Sequence, residues 1–176
     1  MRIVLASAIL FALAACGEKP PAEGAAEATP QTTPAPEPEM PVVKTSDAAA
    51  WTKNVPWNSA GADVKKTGSG LEYIVLGSGP AGGAAPTAAQ QATVFYEGRL
   101  NSGGGAFDSA YQRGRPETFP VGMVVPGFAE ALQLMKPGDH FLVFIPSALG
   151  YGADGAGADI PPNSDLVFEI DLVSVK

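Results

Sequence analysis

Cysteine occurs once in the 176 residues, at Cys16, and histidine once, at His140. A lone cysteine excludes an intrachain disulfide framework and a cysteine-based zinc site, and a lone histidine excludes a two-histidine metal centre. Basic residues are scarce: 11 Lys and Arg stand against 18 Asp and Glu, a formal charge of −7. That balance argues against a nucleic-acid-binding surface. No Gly-Lys-Ser/Thr follows any glycine-rich stretch, so there is no phosphate-binding P-loop. A nucleophilic serine would have only His140 as its base, which disfavours a covalent hydrolase. The residues therefore call for no metal and no cofactor. What the chain has in excess is glycine (21) and proline (17), on a background that is 45% hydrophobic.

The chain opens with Met1-Arg2 and an apolar run to Ala15, then Cys16. The run is shorter than the about 20 residues of a membrane span and has the layout of an export signal. Its end, Leu13-Ala14-Ala15-Cys16, resembles the lipobox of bacterial lipoproteins, where cleavage precedes an acylated cysteine. An ordinary cleavage after Ala12-Leu13-Ala14 is the alternative, and the position of the only cysteine favours lipidation. The resemblance implies a signal peptide at 1–15 and a periplasmic protein held on a membrane by lipidated Cys16, with palmitate among the acyl groups. By the same resemblance, Gly17 rather than Asp after the cysteine implies the outer membrane. Residues 16–41, nearly all Pro, Ala, Glu, Thr and Gly after the cysteine, are expected to form a disordered tether, because they cannot bury enough apolar surface to offset chain entropy. Residues 42–68 are expected to be a short helical lead-in, with a helix over 46–54 capped by Ser46 and limited by Pro56.

From residue 69 to 176 the pattern is β-rich. Residues 71–76 read as a strand closed by a glycine-rich turn. Residues 92–100 alternate, with Val94 and Tyr96 on one face and Phe95 and Glu97 on the other. Residues 141–145 form the continuous apolar run of a buried central strand. Residues 165–175 place Leu166, Phe168, Ile170 and Leu172 inward, with Glu169 and Asp171 outward. Between the strands, Phe128, Ala131, Leu132 and Met135 have helical spacing, and Pro137-Gly138 ends the helix. One amphipathic helix against an antiparallel sheet makes an α+β domain.

Two stretches, Gly77–Gly82 and Gly150–Gly155, match G-x-G-x-x-G literally. Neither opens a helix, as a dinucleotide site requires, so both read as loops. Asp154 and Asp159 lack the spacing and terminal Glu of a calcium loop. His140 reads as a surface residue at a strand start. More informative are aromatics at element ends and in loops: Tyr96, Phe107, Phe119, Phe128, Tyr151 and Phe168. Core packing would account for most of them. Asp108 directly after Phe107, and Tyr151 between two glycines, do not fit that account.

V-F-Y-E-G (94–98), F-D-S (107–109), F-P-V-G (119–122), V-V-P-G-F (124–128), G-Y-G (150–152), I-P-P-N (160–163) and L-V-F-E-I-D-L (166–172) together resemble the FKBP-type peptidyl-prolyl isomerases. The V-V-P-G-F-A-E-A-L-Q-L-M variant is most similar to bacterial envelope members of the macrophage infectivity potentiator type. The resemblance implies a curved antiparallel sheet wrapped around one short helix. It implies catalytic roles for Tyr96, Phe107, Asp108, Phe128, Tyr151 and Phe168, with Phe128 at the floor of a pocket for the proline ring. It implies substrate-binding roles for Phe119, Val124, Val125 and Ile160, with the Val125 N–H and Tyr151 hydroxyl meeting substrate carbonyls. Phe128 stands where many members carry Trp.

The implied activity is rotation about X-Pro bonds of unfolded or partly folded envelope proteins, without covalent chemistry or cofactor. A macrolide of the rapamycin type is an implied ligand, and nucleic acid is not a partner. Two other readings stay open: a holdase chaperone or proline-peptide-binding module with little turnover, and an envelope adhesin using the fold as scaffold.

Overall fold

The computed structural model describes residues 44–176. The signal peptide, the tether and Cys16 lie outside the described residues. In chain order the elements are α1 (Ala48–Asn54), β1 (Lys65–Lys66), β2 (Glu72–Gly77), β3 (Gln91–Leu100), β4 (Ala106–Ser109), β5 (Glu117–Pro120), α2 (Pro126–Leu134), β6 (His140–Ile145) and β7 (Leu166–Val175).

The seven strands form one antiparallel sheet in the order β1-β2-β6-β7-β3-β4, with β5 also pairing β3. The ten-residue strands β3 and β7 are its spine, paired from Ala92↔Val175 to Leu100↔Leu166. The other edge of β3 is shared, β5 taking Gln91–Val94 and β4 taking Glu97–Arg99. With β7 on its first edge, β3 thus gathers residues from three other strands.

Proline at the first position opens α2, where its missing N–H costs nothing. Gly138, with φ +90°, follows the helix and turns the chain into β6. The helix buries Gly127, Phe128, Ala131 and Leu132 against the sheet, and Met135 behind them is fully buried, as the spacing predicts. Gly127 is required for close approach: a Cβ there would sit 2.5 Å from Cγ2 of Ile145 on β6.

The opposite face of the sheet is also covered. Trp51 of α1 packs with Ile74, Leu142 and Val167, and Trp57 stacks on Phe144 at 5.8 Å. The lead-in therefore packs as part of the domain rather than preceding it, and packing starts well before residue 69. Its helix is capped by Asp47, not Ser46: Oδ1 accepts from the amides of Ala49 and Ala50 at 2.9 and 3.0 Å. Aspartate caps as well as serine does, and it sits one residue nearer the first helical turn.

Covering that face overturns the outward assignment of Glu169 and Asp171. Both are buried. Glu169 accepts from the Trp51 indole at 2.6 Å and the Asp47 amide at 2.8 Å, while Asp171 pairs with Lys44 at 2.7 Å and accepts from Tyr111 at 2.8 Å. Each buried carboxylate thus has the partners that burial demands. Phe95 and Glu97 are likewise buried, Phe95 stacked on Tyr111 at 5.5 Å and Glu97 bonded to Arg99 and Ser109. His140 is half-buried rather than on the surface, its Nε2 2.9 Å from Oε1 of Glu169.

Candidate functional site

Between α2 and the inner face of the sheet lies a cavity of about 340 Å³, lined by Tyr96, Phe107, Asp108, Phe119, Met123, Val124, Val125, Phe128, Tyr151 and Phe168. That volume lies within the range of small-ligand sites. Its wall is a set of rings meeting edge to face. Phe128, from the first turn of α2, meets Phe168 of β7 at 5.1 Å and 77° and Tyr96 of β3 at 6.0 Å and 81°. Phe107 of β4 meets Phe168 at 5.6 Å and 83°, and Phe119 of β5 meets Tyr96 at 5.6 Å and 67°. Perpendicular rings hold each other in place through their quadrupoles, so the apolar wall is a defined shape. Phe128 and Phe168 are buried beneath it, and Phe107 and Phe119 are part-exposed at its sides.

The polar groups stand at the mouth. Tyr96 donates its hydroxyl to Oδ2 of Asp108, and Arg113 donates Nη1 to Oδ1 of Asp108 at 2.5 Å and Nη2 to the Tyr96 oxygen at 3.0 Å. The same guanidinium lies 2.8 Å from Glu117 through Nε. Partial burial opposes ionisation of Asp108, but the Tyr96 hydroxyl and Arg113 outweigh it and lower its pKa. Burial and the Asp108 charge push the Tyr96 hydroxyl up, so it remains a donor. Asp108 follows a pocket ring in the chain yet stands in the open mouth of the cavity. Its side chain is 43% exposed, because the charge is met by a guanidinium that must itself reach water.

Val124 and Val125 follow the short 3-10 turn Val121–Met123, and Val125 is the N-cap residue of α2. The Val125 carbonyl accepts from Ala129, while its N–H enters no hydrogen bond among the described residues. Tyr151 sits at the rim, 37% exposed, held between Gly150 and Gly152, the latter at φ +58°. Ile160 is elsewhere: it is buried in the main core and bridges Ala156, and it does not line the cavity. Its backbone closes the 150–160 loop by a pair of hydrogen bonds with Ala156, at 2.9 and 3.1 Å, while its side chain packs in the core.

Two residues escaped the sequence reading. Arg113 lies five residues past Asp108 in a polar stretch with no periodicity to mark it, and its one signal is that a carboxylate beside an apolar pocket needs a cationic partner. Met123, 82% exposed and on the cavity wall, gives no signal in the sequence, because only the 3-10 turn directs it there. Both G-x-G-x-x-G stretches are loops, with positive φ at Gly82, Gly152 and Gly155.

A protein with this arrangement has known relatives. The peptidyl-prolyl cis-trans isomerase Mip of Coxiella burnetii is 47% identical over 113 residues, which are 64% of this chain and 48% of that protein. The outer membrane protein MIP of Legionella longbeachae is 45% identical over 108 residues, 61% of this chain and 45% of that one. The chain thus spans about half the length of these relatives. The crystal structure of FkpA from Escherichia coli superposes with a TM-score of 0.62 at 39% identity, covering 67% of this chain and 54% of FkpA. The sequence profile of the FKBP-type peptidyl-prolyl cis-trans isomerases matches residues 82–173, which hold every ring of the cavity. With more than half its length inside that match and its aromatic cavity built from the matched strands, the chain belongs to the FKBP-type peptidyl-prolyl cis-trans isomerase family.

Proposed function

We propose that this protein is a peptidyl-prolyl cis-trans isomerase whose active site is the aromatic cavity. The supporting observation is that its interior is ring surface from Tyr96, Phe107, Phe128 and Phe168, while the one lining carboxylate is already paired with Arg113. An X-Pro bond is nearly balanced between cis and trans yet crosses a barrier of about 18–20 kcal/mol and relaxes over tens of seconds. No bond breaks and no proton need move. The planar amide is stabilised by charge separation that water solvates, and the twisted form has lost that resonance. A dry wall shaped to the twisted imide lowers the barrier by binding it more tightly than either planar form. In this reading Phe128 is the floor under the proline ring, and Phe119, Val124 and Ile160 contribute to the substrate site, Ile160 by bracing its loop. The Val125 N–H and the Tyr151 hydroxyl would take the carbonyls flanking the proline.

The substrates proposed are proline-containing envelope proteins in unfolded or partly folded states, and a rapamycin-type macrolide is the proposed competing ligand. Cys16 would carry the acyl chains that hold the protein on the outer membrane from the periplasmic side, since stable anchoring needs more than one chain. Palmitate labelling in a bacterial host should tag the full chain and be lost in Cys16→Ser, and labelling that survives the substitution would sink the anchor. A protease-coupled assay with a proline-containing chromogenic peptide tests the activity itself. Faster relaxation of the cis population is expected. Peptide binding without acceleration would instead mark a holdase or binding module.

A further inference from the structure

We propose that Gly98 of β3 is a positioning residue for the pocket: its missing side chain is the space in which the rings of Phe107 and Phe168 pack. The inference rests on the isomerase reading above. A Cβ at Gly98 would lie 2.5 Å from Cζ and 2.7 Å from Cε2 of Phe107, and 2.6 Å from Cε1 of Phe168. Unstrained carbon contacts are about 3.5–4.0 Å, so a single methyl group would overlap two pocket rings by about 1 Å. Backbone conformation is not the reason for glycine here, because Gly98 is absent from the positive-φ positions. Space is.

The place of Gly98 in the ladder explains why one residue reaches both rings. It pairs with Phe168 on β7 and with Asp108 on β4, and the register of β3 against β4 shifts between Gly98 and Arg99. Two strands thus deliver pocket residues to either side of it, and the bulge turns Phe107 across its face. Both rings lie directly against the buried β3 backbone at Gly98. Ahead is the cavity both rings line. A Cβ would therefore push Phe107 and Phe168 into the cavity and tilt the edge-to-face contact of Phe168 with Phe128, set at 5.1 Å. A displacement of about 1 Å in a positioned group can cost on the order of 100-fold in rate.

The test compares Gly98→Ala and Gly98→Ser with wild type in the full chain, each also placed in a Phe107→Leu background that removes two of the three closest atoms. The expected result is a fall in kcat/KM on the order of 10- to 100-fold for Gly98→Ala, carried mainly by kcat, and larger for Gly98→Ser. In the Phe107→Leu background the same substitution should cost several-fold less. NMR should show the ring resonances of Phe107 and Phe168 shifting while those of Phe95 and Tyr111, on the other face, stay put. Wild-type kinetics in Gly98→Ala, unmoved ring resonances, or an equal loss in both backgrounds would overturn the proposal. If Gly98→Ala does not fold, Gly98→Ala/Phe107→Leu must fold, and failure of that pair too would make Gly98 a folding residue only. An inactive wild type would defeat the isomerase reading instead, and the ring resonances would still decide what Gly98 does.

Discussion

Arg113 Nη1 lies 2.5 Å from Oδ1 of Asp108, and its Nη2 lies 3.0 Å from the Tyr96 hydroxyl that binds the same carboxylate. The guanidinium also lies over the Tyr96 ring at 5.7 Å. The charge at the pocket mouth is thereby satisfied within the protein itself, and under the proposed function the aromatic interior carries the catalysis. Arg113→Gln should lower kcat/KM by less than about tenfold and barely move Tm, because partly exposed ion pairs contribute only about 0.2–1 kcal/mol. Steady-state kinetics and a thermal melt check this. A loss beyond about 100-fold would mean that Arg113 itself contacts the rotating bond.

The pH dependence of turnover follows from the same groups. The Asp108 pKa is lowered, while those of Tyr96 and Arg113 are raised from ordinary values already near 10 and above 12. None of the three changes charge between about pH 6 and 8 on these reference values. kcat/KM should therefore be nearly flat over that interval, in wild type and in His140→Gln alike. Asp108→Leu should lower activity and leave the profile flat. A bell-shaped curve would report an acid and a base, and the mechanism without proton transfer would fall.

Stability should depend on pH where activity does not. Burial alone would lower the His140 pKa, but the Glu169 hydrogen bond and the charges of Glu169 and Asp171 raise it, with Lys44 opposing. The folded value lies above the unfolded one, near 6.5. The stabilisation is complete below the unfolded value and is lost as pH rises through the folded one. Tm should thus decline as pH rises above about 6.5 in wild type and more weakly in His140→Gln. Parallel curves for the two proteins would show that His140 is not coupled to folding.

Two pocket residues should separate activity from stability. Phe168 is buried at the centre of the ring set, so Phe168→Ala should cost about 3–5 kcal/mol as well as activity. Tyr151→Phe removes a hydroxyl from a rim residue that is 37% exposed and should leave Tm within a degree or two while lowering kcat/KM. Chemical denaturation and kinetics on both variants check the pair. A Tyr151→Phe protein that unfolds readily would move Tyr151 from the rim into the core.

Local pattern carried most of the fold. The alternation of β7, the apolar run of β6 and the helical spacing of Phe128, Ala131 and Leu132 arise from short-range geometry, with periods of 2 and 3.6, so they are legible without a tertiary context. The ordered motifs likewise located every ring of the cavity.

What only the tertiary structure decided was which polar groups are dry and whom they meet. Glu169 and Asp171 occupy outward positions of an alternating strand, yet Trp51, 118 residues earlier in the chain, donates to Glu169, and Lys44 pairs with Asp171. Arg113 reaches Asp108, Met123 reaches the cavity wall, and Gly98 leaves room for two rings, each through a neighbour that its own flanking residues do not announce. Period and propensity describe a residue against its own segment, whereas burial, ion pairing and ring contact describe it against whatever the folded chain places opposite. Sequence by itself determined the long strands β2, β3, β6 and β7, the helix α2 and the rings of the pocket. The second covered face, the paired charge at the pocket mouth and the space behind its rings came into being only when distant segments packed together.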